Sequence, residues 1–201
     1  MANKITLKAQ DGSTVEFYDE IKAQGGVKDV YFSTDKTYVV AFYRKPINAN
    51  DKARINDIVN VHRNRIFTND AVGQYWSAFF AWPTNIVEWK GLTGIVMPFY
   101  DKKFFFSGVA VSWPFIKNGQ EKNGKWFSSA KLINRFVPAD QKGSFLDRLH
   151  MCLKIARAMR RLHAAGLAHS DLSYNNVLVD PLSGNVLSLI HISEPTRLAL
   201  I

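Results

Sequence analysis

The chain has 201 residues, a single cysteine and a net charge of +9. With 47% hydrophobic and 21% charged residues it has the composition of one globular domain or two small ones, which excludes disordered, collagenous and disulfide-stapled classes. The lone Cys152 forbids an intrachain disulfide and fits a reducing, cytoplasmic compartment.

Met1-Ala2-Asn3-Lys4 leads directly into an alternating segment with no apolar h-region, so no secretory leader is expected. No apolar run approaches bilayer-spanning length, and no membrane partner is expected. Ile5 to Leu7 and Val15 to Phe17 alternate around Asp11-Gly12, which predicts a short hairpin. Gly25-Gly26 then lead into a β-prone stretch ending at Phe32. Ser33-Thr34-Asp35-Lys36 reads as a turn, and Thr37 to Tyr43 as the next strand. From Asp51 to Phe67, residues Ile55, Ile58, Val59, His62 and Ile66 recur at helical spacing and predict an amphipathic helix. His62 lies on that apolar stripe with no second His or Cys at metal spacing, so it is expected to pack in the core.

Ile86 to Trp89 and Gly94 to Tyr100 read as two strands joined through Lys90-Gly91-Leu92-Thr93. Phe104-Phe105-Phe106 reads as a third, followed by a turn at Asn123-Gly124. The aromatics crowded between Phe67 and Phe127 are expected to fill core rather than offer a stacking surface. Ser144-Phe145-Leu146-Asp147 is a capping-box signature. It opens a helix expected to hold Leu149, Cys152, Leu153, Ala156, Met159 and His163 on one face, with Leu162 at the edge and Gly166 as a left-handed stop. The polar face carries Lys154, Arg157, Arg160 and Arg161, the densest cationic cluster. No exposed aromatics interleave it, so the positive charge reads as solvated surface and nucleic acid is not an expected partner.

After Gly166 the chain reads His169-Ser170-Asp171-Leu172-Ser173-Tyr174-Asn175-Asn176, then the apolar run Val177-Leu178-Val179 ending in Asp180. This His-x-Asp-Leu-x-x-x-Asn wording resembles the catalytic loop of protein kinases. The resemblance implies an α+β, two-lobed protein-kinase-like fold, with an N-lobe antiparallel sheet plus an αC-like helix and an incomplete helical C-lobe. It also implies ATP and magnesium as cofactors and a protein hydroxyl as phosphoryl acceptor. Asp171 would then orient or deprotonate the acceptor, Asn176 would bind magnesium, and His169 would hold the loop together. Ser173 stands where serine/threonine kinases usually carry a phosphate-contacting lysine.

Other segments follow in kinase order across roughly residues 20 to 190. Aligning the kinase glycine loop on Val30 matches Gly25 to its second glycine and sets Ala23 and Lys28 in place of the first and third, with Gly26 adding flexibility. Val39-Val40-Ala41-Phe42-Tyr43-Arg44-Lys45 resembles the strand that carries the phosphate-holding lysine. Alignment on Val40-Ala41 puts Tyr43 at that position, while the distance from Val30 allows Lys45. Alternation puts Lys45 on one face with Ala41 and Tyr43, so Lys45 is preferred and Arg44 is the alternative. The Asp51 to Phe67 helix would be the αC equivalent, with Asp57 its only mid-helix acid. Met97 would be the gatekeeper, with Phe99 and Tyr100 offering backbone groups to adenine. Val30, Ala41 and Leu178 complete the implied nucleotide-binding set. The wording is similar to a group of bacterial protein-kinase-like proteins, in which Ile-Asp-x-Asp follows the last strand.

This chain instead has Leu189-Ile190-His191-Ile192-Ser193, with His191 in place of the magnesium-binding Asp. From Ser188 onward the tail resembles translated sequencing-adapter read-through, and native sequence is expected to end near Leu187 to Ile190. The expected organisation is a nucleotide-binding N-lobe over 1–100, a partial C-lobe over 101–190 and a non-native tail over 191–201. The expected function is that of a fragment of an ATP-dependent serine/threonine-type protein kinase, inactive as truncated. A nucleotide-binding pseudokinase scaffold and a small-molecule phosphotransferase of the same fold are the alternatives.

Overall fold

In the computed structural model, which describes residues 2–68, 70–169 and 172–189, the chain opens with four strands: β1 (Lys4–Lys8), β2 (Thr14–Gln24), β3 (Lys28–Ser33) and β4 (Tyr38–Tyr43). A helix follows as α1 (Ala49–Asn56), a π-helical stretch (Asp57–His62) and α2 (Arg63–Ile66). Next come α3 (Ala71–Ser77), β5 (Phe80–Ala81), β6 (Asn85–Trp89) and β7 (Leu92–Pro98), then α4 (Ala130–Phe136), α5 (Phe145–Ala164), β8 (Val177–Asp180) and β9 (Asn185–Leu189). Two compact units result. Among the described residues the first holds 2–65 and 82–99, and the second holds 66–81 and 100–189. The stretch 66–81, which sequence assigned to the first lobe, therefore belongs to the second unit. No helix among the described residues is long and apolar enough to cross a membrane.

The first unit is a six-stranded antiparallel sheet in the order β1-β2-β3-β4-β7-β6. Its hairpins follow from turn chemistry. The Asp11 carboxylate accepts the Ser13 N–H at 2.8 Å while Gly12 takes φ +86°. Lys90 and Gly91 both have positive φ, the two-residue turn that suits the twist of β6 and β7. One face of the sheet buries Val15, Phe17, Tyr31, Val40, Phe42, Val87 and Val96. Phe17 is fully buried, its ring 5.3 to 5.5 Å from those of Tyr31, Phe42 and Trp89. Edge-to-face pairs of this kind add about 0.5–1.5 kcal/mol each beyond burial. Gly94 is required here, because a Cβ would stand 2.5 Å from the Phe42 ring.

The predicted αC-like helix forms, and Ile55, Ile58, Val59, His62 and Ile66 are all buried. Asn48 caps it by accepting the Asp51 N–H at 2.9 Å. Within the π stretch the Ile58 carbonyl accepts the Arg63 N–H and also the Trp82 indole N–H at 3.0 Å. His62 packs in the core as expected, and burial, then the nearby Arg65, hold its pKa below the ordinary value.

The second unit carries a three-stranded sheet, β5-β9-β8, and the long helix α5. The capping box forms: the Asp147 N–H donates to the Ser144 hydroxyl at 3.1 Å, and the Ser144 N–H donates to the Asp147 carboxylate at 2.7 Å. Gly166, at φ +77°, ends the helix, with its own N–H on the His163 carbonyl and the Leu167 N–H on the Leu162 carbonyl. The face of α5 that packs is not the one expected. Met151, Ala158 and Leu162 are buried, whereas Leu149, Cys152, Leu153, Ala156 and His163 are exposed. The helix has two apolar stripes, and its packing neighbours choose the one through Met151 and Leu162. Arg161 is likewise no solvated cation. It donates to the Ile66 carbonyl at 2.7 Å and lies over the Trp76 ring. The segment Phe104-Phe105-Phe106 is not a strand either. It closes a 3₁₀ turn and makes one bridge, Phe105 to Glu121, while Phe104 and Phe106 turn inward. Phe106 joins Val109, Ile116 and Val137 in a core flanked by Trp113, Trp126 and Phe127.

Candidate functional site

In the first unit the strand register builds a platform opposite the aromatic core. Val30 faces Ala41, Lys28 faces Tyr43 and Phe32 faces Val39 across β3 and β4. Ala41 faces Ile95 and Val39 faces Met97 across β4 and β7. Directly opposed residues in an antiparallel pair lie on the same face, and that face alternates along each strand. Val30, Ala41 and Met97, assigned separately from sequence, thus share one face, while Tyr31, Val40 and Phe42 point into the core. Ala41, Ile95 and Met97 are buried and Val30 half-buried, an apolar row with a small side chain at its middle.

The β2–β3 turn stands at one end of this platform. The Gly25 N–H donates to the Lys28 carbonyl at 2.9 Å. Neither Gly25 nor Gly26 has positive φ, and a Cβ at either would meet nothing closer than 3.8 Å. The fold itself does not demand these glycines, but their bare backbone lets a ligand approach closely.

The candidate cations separate clearly. β4 ends at Tyr43, so the alternation that placed Lys45 on the platform face does not extend to it, and Lys45 is exposed. Arg44 is committed to the turn. Its guanidinium pairs with Asp29 at 2.9 Å and donates to the Gly25 and Gly26 carbonyls. Asp57 is exposed. Tyr43 is buried at the position that alignment gives to the lysine. Burial, and next the charge of Asp51, push its hydroxyl pKa well up. Sequence reasoning set Lys28 only in place of the third loop glycine and gave it no contact with a ligand. Its ammonium lies 4.7 Å from the centroid of the Tyr43 ring, and burial lowers its pKa to about 7. The signal was present in the two-residue step from Val30 to Lys28, which keeps the face. At the end of β7, Phe99 spends its N–H on the Thr37 carbonyl at 3.0 Å and sets its ring edge-on to Phe32 at 5.0 Å.

In the second unit the loop after α5 is held by backbone and amide contacts. The Asn123 side chain donates to the Asn175 carbonyl at 3.2 Å, and the Lys125 N–H to the Tyr174 carbonyl at 3.3 Å. A Cβ on Gly124 would come within 3.2 Å of that same Tyr174 carbonyl. The Asn176 N–H closes a turn onto Ser173 at 3.0 Å, and its carbonyl accepts from Leu189 at 2.8 Å. Asn176 is buried, Leu178 fully so, His169 half-buried and Tyr174 exposed. Asp171 lies outside the described residues, as do Ser170, His191 and the rest of the tail. Tyr100 stacks on Phe105 at 6.4 Å, and burial, then Glu121, raise its hydroxyl pKa. A cavity of about 320 Å³ opens between α5 and the loop, lined by Met151, Ile155, Ser173, Tyr174 and Val177 among others.

Asn176 offers one amide oxygen that could reach a metal, and no group of three His, Cys, Asp or Glu side chains is clustered among the described residues.

No protein-family profile and no curated protein matches the sequence. Solved structures do match. A rhoptry kinase from Toxoplasma gondii superposes with a TM-score of 0.55 at 13% identity, over 100% of this chain and 51% of that one. The PknI kinase domain of Mycobacterium tuberculosis gives 0.52 at 14%, over 94% and 61%. ROP2 from Toxoplasma gondii, described as a virulence factor with a protein-kinase fold and no enzymatic activity, gives 0.51 at 13%, over 93% and 53%. The chain spans half to three-fifths of the length of these structures. At such identities the likeness is one of fold, and it agrees with the strand order β2-β3-β4-β7-β6 and the helix between β4 and β6. The chain has a protein-kinase-like α+β fold, its first unit matching a kinase N-lobe and its second part of a C-lobe.

Proposed function

We propose that the chain is a segment of an ATP-dependent protein kinase that binds adenine nucleotide but, as it stands, does not complete phosphoryl transfer. The observation that carries this reading is the row Val30–Ala41–Ile95 with Met97 on the same face. Gly25 and Gly26 would cover the phosphates through backbone groups. In the second unit Asp171 would orient the acceptor hydroxyl, His169 would brace the loop and Asn176 would supply one metal contact. The natural acceptor would be a serine or threonine of a protein.

A nucleotide-binding scaffold without transfer is the second reading. It is favoured by Tyr43 at the lysine position and His191 at the metal position. The kinase-fold relative described as having no enzymatic activity is consistent with it. One experiment separates the readings. Affinities for ATP and adenosine are measured by calorimetry with and without magnesium, alongside transfer of labelled γ-phosphate to a generic protein acceptor. Binding without transfer is expected for this chain. Transfer that Asp171→Asn abolishes supports the kinase reading, and nucleotide binding that Asp171→Asn and Asn176→Ala both leave unchanged supports the scaffold. A chain that binds neither ATP nor adenosine refutes both.

A further inference from the structure

Two lysines with an aromatic ring beside the ammonium are treated differently: Lys122 is buried and Lys28 half-buried. Lys122 has a carboxylate, Asp180, 3.7 Å away. Lys28 has none: among the described residues no Asp or Glu forms an ion pair with its ammonium. Asp29, its nearest acidic neighbour in sequence, pairs with Arg44 instead. Among the described residues the ammonium of Lys28 lies against the face of Tyr43, 4.7 Å away. A half-buried cation held against a ring with no counter-charge is free to meet an arriving anion.

The position is also held firmly. The Lys28 carbonyl accepts from the Gly25 N–H at 2.9 Å and from the Arg44 guanidinium at 3.5 Å, and the Arg44 N–H donates to the Val27 carbonyl at 3.0 Å. Lys28 therefore leaves the strand at a fixed point on the platform face, one row from the Val30–Ala41 pair. Two residues along a strand span about 7 Å. That is the scale of the step from a nucleobase across its sugar to the phosphates.

We propose that Lys28, rather than Lys45 or Arg44, holds the polyphosphate of a nucleotide whose base rests on Val30 and Ala41. The proposal deepens the nucleotide reading of this face and rests on it. Arg44 then positions the turn, and Tyr43 forms the floor under the ammonium. Burial already keeps the Lys28 proton loosely held, with a pKa of about 7, so an arriving phosphate stabilises the charged form.

The test uses the full chain and three ligands: ATP, adenosine and inorganic tripolyphosphate. Lys28→Met should weaken ATP and tripolyphosphate about tenfold or more, the loss expected for one charge-assisted contact. It should leave adenosine within about twofold, which also certifies the fold. Lys28→Arg should recover part of the loss, and Lys45→Met should change nothing. If the unaltered chain binds ATP and Lys28→Met binds it equally well, the lysine assignment falls and the nucleotide reading stands. If the unaltered chain binds neither ATP nor adenosine, the nucleotide reading falls and takes this proposal with it. A second measurement needs no substitution. Amine-selective acylation near neutral pH should label Lys28 early, and ATP but not adenosine should slow it, as read by peptide mass. Labelling that ATP leaves unchanged overturns the proposal.

Discussion

Replacing Lys122 with Met should expose how the second unit is held together. The Lys122 side chain is 5% exposed and that of Asp180 8% exposed. The ammonium stands 3.7 Å from the Asp180 carboxylate, donates to the Lys103 carbonyl at 3.0 Å and lies 5.8 Å from the Phe106 ring. At that separation two charges attract by about 4 kcal/mol in a medium of effective dielectric near 20. Removing one partner of a buried pair generally costs about 3–5 kcal/mol, because the other charge stays buried. Here Asp180 keeps two contacts of its own turn, from the Leu182 N–H and the Ser183 hydroxyl, which argues for the lower end. The Lys103 carbonyl also loses its donor, worth about 1 kcal/mol. The expected loss for Lys122→Met is about 3 kcal/mol. Asp180→Asn should cost less, since the amide oxygen can still accept from the turn. The double variant should be more stable than the sum of the singles predicts, by about 1 kcal/mol or more. Urea denaturation of the four proteins reads these values. Additive losses, or a loss under about 1 kcal/mol for Lys122→Met, would refute the view that this ion pair is a coupled, buried unit.

The folded pKa of Lys28 lies near 7 against an ordinary 10.5, so between those values the unfolded chain holds the extra proton. Stability should therefore rise with pH from about 7 towards 10, and Lys28→Met should flatten that rise in denaturation midpoints taken across the range. A slope unchanged by the substitution would count against the burial of this amine. Leu162→Ala should cost about 2–5 kcal/mol, because Leu162 is fully buried, while Leu149→Ala should cost under about 1 kcal/mol, because Leu149 is half exposed. The reverse ranking would restore the packing face that the sequence suggested. Gly143→Ala should destabilise by about 2 kcal/mol or more, since Gly143 has φ +62° and a Cβ there would collide with the Pro181 carbonyl. A thermal midpoint equal to that of the unaltered chain would contradict this.

Much of this molecule is legible locally, and for local reasons. Asp11-Gly12 and Lys90-Gly91 announce turns because few residues tolerate those backbone angles. The Ser144/Asp147 box and Gly166 mark the two ends of α5 because helix ends need partners for their unpaired amides and carbonyls. The stripe from Ile55 to Ile66 has a single apolar face, so its burial could be read directly. The kinase-like order of segments carried the fold, which the likeness to solved kinase structures bears out.

What the sequence could not decide are matters settled by distant neighbours. α5 carries two apolar stripes, and only its packing selects Met151, Ala158 and Leu162 over Leu149, Cys152 and Ala156. Phe104 to Phe106 have strand propensity, but two of the three rings gain more by burial in separate directions than by pairing. The proposal of Lys28 in place of Lys45 or Arg44 turns on where β4 ends and on which residues stand opposite one another. Spacing along one strand fixes the face of each residue. Only pairing between strands, which joins residues far apart in sequence, fixes what each one faces across the sheet, and so which cation stands beside the platform.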